Sequence, residues 1–505
     1  MEFWNATPEI TANVSLCIGL VTILLIFNIQ QRWKYRRINK FMKTLQGPPC
    51  IPYIGNAYFA LQINERNLCN VLKRQIEKFP NGGYWVKNMP WYVTGDLKVI
   101  NAILSSSQNI DKSYIYSYFK EHAAGIICAN GEDWRTIRRT VNPSFHTSVL
   151  KSFGSTYSHH TKTFIEKVEK FADDEMMADL FVPLHLCTID LICESMMGCR
   201  MNIQKRDLTY LSTNLERSTE MIHTRLFNVL LQPDLIYYLL GKKQELNNCV
   251  KGMHALAREI VELQTRRREA ARQSKSETEM VPVFMENLLK AVESGIVPKE
   301  RAIDETVDMI IAGSVTTATT AAWMLTIFAQ RPDIQGKAYK EIMETCGDRE
   351  ITLEDTSKFN YLEMVLKETL RHFCIPFVSR TIIEDLVVDE NMTIPPEVNV
   401  ILSLFVLHHN AENWEKPNEF YPENFSPMNE LKRPKGAFLP FLTGPRHCPG
   451  SKYAFSSIKF LLANALLRYE FSSDEKMDDL PNASYRMIFM LWPLSGFRAK
   501  IKKRS

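Results

Sequence analysis

Phe441-Leu-Thr-Gly-Pro-Arg-His-Cys-Pro-Gly450 is the stretch on which the reading of this 505-residue chain turns. Beyond it Ala454, Ile458, Leu461, Leu462, Ala465 and Leu466 recur at the spacing of one apolar helix face. Cys448 therefore stands at a helix N-terminus, where dipole and free amides favour a thiolate. Gly444 and Pro445 supply a tight turn, and Gly450 lets backbone or a flat ligand come close. Arg446, two residues before the sulfur, is available to an anionic group. A lone cysteine in a loop is ordinarily a buried structural thiol. Ten residues in this arrangement are not an ordinary loop.

Outward from that loop, helical signals prevail. Pro298–Gln330 reads as a long helix with a glycine in its middle, and Lys358–Phe373 as another. Lys151 to about Leu240 alternates helical periodicity with short polar breaks, Leu97–Ser107 is helical, and Gln264–Met280 is a solvated helix end and loop. Tyr84–Thr94 and Asp385–Ile394 each read as two short strands around a turn. No repeat, low-complexity tract or Gly/Ser linker divides the body. The expected fold is one large, predominantly α domain with a minor β portion.

Hydrophobic residues make up 45% of the chain and charged residues 23%, which excludes a mostly disordered or polytopic membrane protein. The net charge of +4 comes from Arg32, Lys34, Arg36, Arg37, Lys40 and Lys43; the rest is balanced, so nothing points to nucleic acid. Just before that cluster, Ile10–Gln31 contains no charged side chain, enough to cross a bilayer once, and the basic flank keeps the body cytosolic. No basic segment precedes it and no cleavage site follows, which argues against a removed signal peptide. The expected organisation is a lumenal tail at 1–13, a transmembrane anchor at 14–30, a basic and proline-rich linker at 31–55 and a catalytic domain at 56–505. Eleven cysteines without a CxxC pair fit a reducing compartment, with Cys187, Cys193 and Cys199 as buried hydrophobes.

An anionic sulfur, amide donors and a nearby arginine are what a thiolate ligand to haem iron requires. The pattern F-x-x-G-x-R-x-C-x-G resembles the haem-binding loop of the cytochrome P-450 family, the haem-thiolate monooxygenases. Glu368-Thr-Leu-Arg371 is similar to that family's E-x-x-R helix. Trp414, Pro417, Phe420, Pro422 and Phe425 match its aromatic-proline segment, and Trp134-Arg-Thr-Ile-Arg138 its W-x-x-x-R helix. The likeness spans roughly residues 46–500 and is strongest to the animal fatty-acid-hydroxylase clan, particularly insect members.

The resemblance implies a cytochrome P-450 fold, non-covalent haem b with Cys448 as axial iron ligand, and Phe441, Gly444 and Gly450 shaping its loop. It implies that Trp134, Arg138, Arg380 and Arg446 satisfy the haem propionates, and that Glu368 and Arg371 form a buried bracing pair, with Asn424 where an arginine is frequent. It also implies a role for Thr316 and Thr317, within Ala312-Gly-Ser-Val-Thr-Thr317, in oxygen activation. A hydroxyl bonding the carbonyl four residues back would loosen the helix there. Val315 replaces the family's usual acid, and its branched side chain would add bulk beside the opening. Ala312 replaces a glutamate that esterifies haem in some relatives.

Tyr114–Phe119, Met309, Ile310, Phe377, Val378 and Ile488–Met490 would line an apolar pocket for a lipophilic substrate, such as a fatty acid, a hormone-like terpenoid or steroid, or a xenobiotic. Electrons would come from NADPH through a separate NADPH–cytochrome P-450 reductase, with cytochrome b5 as an optional second donor. The implied location is the endoplasmic reticulum membrane, catalytic domain on the cytosolic face. Two other readings remain open at this point: a reductase-independent peroxide isomerase or dehydratase, motivated by Val315, and a non-catalytic haem-based binding or sensing protein.

Overall fold

Helices form where apolar residues repeat every three to four positions, and short strands where β-branched and aromatic residues flank a turn. The computed structural model describes residues 35–51, 54–64, 67–172, 177–273, 283–474 and 485–504, together with Gly19 and Thr22. Apart from those two residues, the expected tail and anchor lie outside the described residues.

Half of the expected linker is part of the body. Arg36–Met42 is a helix (α1) that buries Ile38, Phe41 and Met42, and the Phe41 ring meets Tyr92 edge-on at 5.7 Å. Its apolar face, hidden among the basic residues, needed a partner. The proline-rich strap then runs beside the first strand: Gly83 N–H donates to Gln46 O at 2.7 Å, and Gly55 N–H to Ile51 O at 2.7 Å. A Cβ at Gly47 would lie 2.2 Å from Gly83 O, so only glycine permits this approach.

The hairpin of β1 (Asn81–Val86) and β2 (Met89–Thr94) turns through Lys87 and Asn88, both at positive φ, as a two-residue turn demands. Asp96 caps the next helix, α2 (Leu97–Ser105), by accepting from Lys98 N and Val99 N. After α3 (Gly131–Val141), the strand β3 (Ala178–Asp179) lies among the middle helices. Late in the chain come β4 (Phe377–Thr381), β5 (Leu386–Asp389), β6 (Met392–Ile394) and β7 (Asn399–Ser403). The principal sheet has the order β1-β2-β7-β4, with β2 and β7 parallel and the other pairs antiparallel. Asp385–Ile394 forms the expected strand–turn–strand, β5 with β6.

The helical body is built around α4 (Phe181–Ser195), α5 (Thr209–Phe227), α6 (Asp234–Leu239), α7 (Lys242–Gln273) and α8 (Arg301–Gln330). Among the described residues α8 is the one helix long and apolar enough to cross a membrane, yet it is the buried axis of the core. A Cβ at Gly313 would sit 2.4 Å from Ile192 Cδ1, so the glycine lets α4 close on α8. The cysteine repeat is resolved in the same layer: Cys187, Cys193 and Cys199 are buried free thiols. The α9 helix (Asn360–Phe373) stacks Phe373 on Trp323 at 3.7 Å, and α10 (Ser451–Arg468) completes the core. Beyond it β8 (Tyr469–Ser472) and β11 (Arg498–Lys503) join β3, and β9 (Tyr485–Ile488) pairs with β10 (Met490–Pro493).

The α9 pair is buried as expected. Glu368 and Arg371 meet through two hydrogen bonds, 2.7 and 2.8 Å. Arg371 also donates to the carbonyls of His408, Pro417 and Glu419. Glu368 accepts from Tyr421 N at 2.8 Å and Asn424 Nδ2 at 3.3 Å. Although burial pushes the Glu368 carboxyl up, Arg371 outweighs it and holds the group down at about 2. The pair therefore ties α9 to the segment leading into the cysteine loop. His372, not anticipated, joins this network, touching Arg371 and His409.

Candidate functional site

The cysteine loop is wound tightly. Cys448 N–H donates to Phe441 O at 2.8 Å and His447 N–H to Gly444 O at 3.2 Å. Gly444 has φ +72°, and a Cβ there would lie 1.8 Å from Leu104 O, so α2 presses on the turn where no side chain fits. Gly450 is different. A Cβ would meet Cys448 Sγ at an ordinary 3.7 Å, so no neighbour in the chain demands glycine there; its N–H instead favours a charged sulfur. Phe441 packs against Phe455 of α10 at 5.8 Å.

Cys448 is exposed by area, yet burial dominates its energetics and pushes the thiol up, outweighing the Gly450 amide and Arg138. The helix-terminal amide and Arg138 thus favour the charged sulfur, as expected, but against a larger opposing effect of burial. Exposed area combined with strong desolvation means the sulfur faces an internal void. The same holds on α8, where Ala312 is exposed and Gly313 and Thr316 half-exposed in the middle of a buried helix. Thr316 Oγ1 donates to Ala312 O at 2.8 Å, as expected, but α8 runs through without opening. Two expectations fail here. Val315 is packed in the core, not beside the void, and Thr317 is buried off the accessible strip. Residues one position apart on a helix point about 100° apart, which separates both from Thr316.

A cluster of cations borders the cysteine loop, with Arg380 and Arg138 buried and Arg446 and Lys112 half-buried. Arg446 lies over the Trp134 ring at 4.8 Å and donates to the carbonyls of Ile110, Ile126 and Ala129 and to Asn130 Oδ1. Burial, reinforced by Arg380, pulls Arg446 down to about 9. Arg380 is buried and donates to Ser379 O at 2.9 Å; burial lowers it too. Lys112, with Nζ 3.9 Å from the Tyr116 ring centre, is driven down by burial, Arg446 and Arg380. Among the described residues none of these three has a carboxylate within ion-pair distance. Arg138 donates to His447 Nε2 at 3.3 Å and lies near the sulfur. Three unbalanced cations in low dielectric call for an anionic ligand. A flat group with two carboxylates and a metal facing Cys448 fits both the void and this charge. Arg446, Arg380, Trp134 and Arg138 are brought together as the sequence suggested; Lys112 was missed, because no motif marks it.

Glu305 and Asp308, also unforeseen, lie two turns and one turn before Ala312 on α8. They accept from Ile126 N at 2.9 Å and Ile127 N at 2.7 Å, pinning the loop that carries the Arg446 acceptors. Burial pushes Glu305 up to about 7 against the pull of Arg301, and Asp308 well above the carboxylate range.

An apolar cavity of about 150 Å³ opens nearby, lined among others by Ile63, Trp91, Tyr114, Ile115, Leu226 and Phe377. Tyr114 and Phe377 were expected there, whereas Ile310, Val378 and Ile488 belong to the core. Leu61 (79% exposed) stands on the Ala57–Gln62 turn that lines it, and Leu235, Tyr238 and Leu239 (72%) are exposed on α6, which follows the lining residues Val229 and Gln232.

A family model described as Cytochrome P450 matches residues 45–496. The chain is 27% identical to Cytochrome P450 4c21 of Blattella germanica, over 98% of this chain and 100% of that one. It is 29% identical to Cytochrome P450 4V2 of Rattus norvegicus, over 90% and 88% respectively. Identity to Cytochrome P450 4c3 of Drosophila melanogaster is 24%, over 97% and 95%.

Proposed function

The chain belongs to the cytochrome P450 family, as a haem-thiolate monooxygenase with non-covalent haem b, and we propose that it is a membrane-anchored member oxidising a fatty acid or similarly lipophilic molecule. Its reaction places one atom of dioxygen in a C–H or C=C bond and reduces the other to water. Bound haem supplies the redox chemistry, with electron donation from the Cys448 thiolate favouring O–O cleavage. Arg380, Arg446, Trp134 and Arg138 would hold the propionates, and the three unbalanced cations would gain their counter-charge from them. Ala312 carries no nucleophile to esterify the haem edge. Thr316 would hold a proton at Oγ1 beside the Ala312 carbonyl, where the void reaches α8.

The observation that carries this reading is Cys448, facing a void bordered by buried and half-buried cations without carboxylate partners. Electrons are proposed to come from NADPH through a separate reductase, with cytochrome b5 as optional donor. The exposed leucines beside the apolar cavity, together with the uncharged stretch at 14–30, support attachment to the endoplasmic reticulum membrane and substrate arriving from lipid. The peroxide-isomerase reading rested on the missing acid at Val315 and is not favoured by the family match and the P450 4 relatives. Purified protein with reductase and a lipophilic panel tests the proposal: turnover that requires NADPH is expected, and turnover with hydroperoxide alone overturns it. Deleting residues 1–30 should weaken membrane association while the haem spectrum survives; unchanged detergent requirement overturns the anchor.

A further inference from the structure

The hydroxyls of Thr306, Thr316, Thr320 and Thr326 on α8 bond back to the carbonyl four residues before them, at 2.7 to 2.9 Å. Ser314 does not. Its Oγ reaches across to α4 and lies 3.2 Å from His185 Nε2. The Ser314 carbonyl is held from the same helix, 3.1 Å from Thr188 Oγ1, whose one proton is shared with His185 O at 3.0 Å. One turn further along α4, Ile192 Cδ1 fills the space where a Cβ of Gly313 would stand. His185, Thr188 and Ile192 are spaced i, i+3 and i+7, so one face of α4 closes on Gly313 and Ser314.

That point is the weak place of α8. Glycine costs a helix interior about 1 kcal/mol relative to alanine, and the Thr316 hydroxyl competes with the backbone for Ala312 O. Ser314 and Thr316 are two positions apart, about 200° around the axis. The contacts from α4 therefore grip the back of the turn whose front, Ala312 and Thr316, faces the void. They offset the loosening, and α8 runs through unopened.

His185 is completely buried and stacks on Phe181, ring centres 5.3 Å apart. Its other nitrogen, Nδ1, lies 2.8 Å from Ser212 Oγ of α5, so both ring nitrogens are engaged and three helices meet at this side chain. Burial pulls the imidazole down to about 3, which leaves it neutral with one proton. It donates to one serine and accepts from the other. An aliphatic side chain of that size does neither, and leaves both buried hydroxyls without this partner.

We propose that His185 is a positioning residue for the oxidation: by bonding Ser314 from α4 it holds the Ala312–Thr316 turn closed and sets where the Thr316 hydroxyl stands against the void. This rests on the monooxygenase reading and deepens it, naming the side chain that fixes the α8 wall of the site from behind.

The test uses the full-length haem-loaded protein in detergent and two measurements that need no substrate. One is amide hydrogen exchange along α8, followed by mass spectrometry. The other is the infrared C–O stretch of the carbon monoxide complex of the reduced haem, which senses the groups facing the void. In His185→Leu the amides of 316–320 should exchange about tenfold faster, the worth of one buried hydrogen bond, while those of 322–328 stay within about twofold. The C–O band should broaden or shift. Ser314→Ala cuts the same bond from the other helix by removing one oxygen, and carries the test if His185→Leu does not fold. Thr326→Val removes a hydroxyl that bonds its own helix, and should leave the band where it is. Unchanged exchange at 316–320 in His185→Leu and Ser314→Ala overturns the proposal. So does acceleration spread evenly over α8 with the C–O band unmoved, which makes His185 an ordinary core side chain. Failure of the monooxygenase reading would appear separately, as absence of the red-shifted carbon monoxide band in the unaltered protein, and leaves the exchange comparison intact.

Discussion

The Arg446 guanidinium carbon stands 4.8 Å from the centre of the Trp134 ring, while its N–H groups reach three backbone carbonyls and Asn130. One side chain thus joins the cysteine loop, α3 and the segment pinned by Glu305 and Asp308. Lysine has neither the planar face nor the forked donors to do this. Arg446→Lys should therefore release haem faster, by roughly tenfold for one lost charge-assisted bond. Haem transfer to apomyoglobin, timed spectroscopically, measures it; an unchanged rate would leave Arg446 a scaffold residue only.

Cys448→Ser should lose the red-shifted carbon monoxide complex and all oxidation, since a serine hydroxyl is a far poorer anionic ligand than a thiolate. An intact shifted band in that variant would discard the assignment of the sulfur.

For Val315 the structure reverses the sense of an obvious experiment. Val315→Asp, which would restore the family's usual acid, places an unpaired carboxylate among α4 and α8 core side chains. It should destabilise the fold by about 3 kcal/mol or more, read from a urea midpoint. Thr316→Ala, on the accessible strip, should leave stability within about 1 kcal/mol and raise peroxide released per NADPH consumed. Improved coupling in Val315→Asp would falsify this placement.

Glu305 makes a pH-dependent contribution whose sign is fixed by burial. Its folded value, about 7, is above the ordinary carboxylate value, so its stabilisation is fully present below about pH 4.5 and is lost as pH rises toward 7. The stability advantage of the unaltered protein over Glu305→Gln should therefore shrink between pH 4.5 and 7.5. Denaturant titrations at four pH values test it, and an advantage that grows with pH would refute the buried, proton-bearing state.

The cysteine loop, the α9 pair and the long helix were legible because each leaves a local mark: a Gly-Pro turn, an i,i+3 charge pair, a 3.6-residue period. Lys112, Glu305, Asp308 and His185 left none. Their roles come from what tertiary packing puts beside them, and a lone Lys or His in sequence reads as surface or core equally well. Val315 shows the complementary limit. It directly precedes Thr316, but the helix turns 100° per residue, and adjacency along the chain becomes separation across it. The apolar face of Arg36–Met42, three residues set among Arg36, Arg37 and Lys40, leaves too short a pattern to read as a helix.

The parallel pairing of β2 with β7 joins Thr94 to Leu402. On a ribosome adding about 5–20 residues per second, the open edge of β2 waits roughly fifteen seconds to a minute for its partner. During that time α4, α5 and α8 are already available to pack, so the helical half is the template and the sheet the last part to close. An uncovered edge is a site for wrong pairing. Nascent chains halted before β7 should be cut by protease within the β1–β2 hairpin, and chains halted well beyond it should be protected. Errors in making this protein would then gather at the sheet, and a chain could lose its productive yield with the sequence of the cysteine loop unchanged.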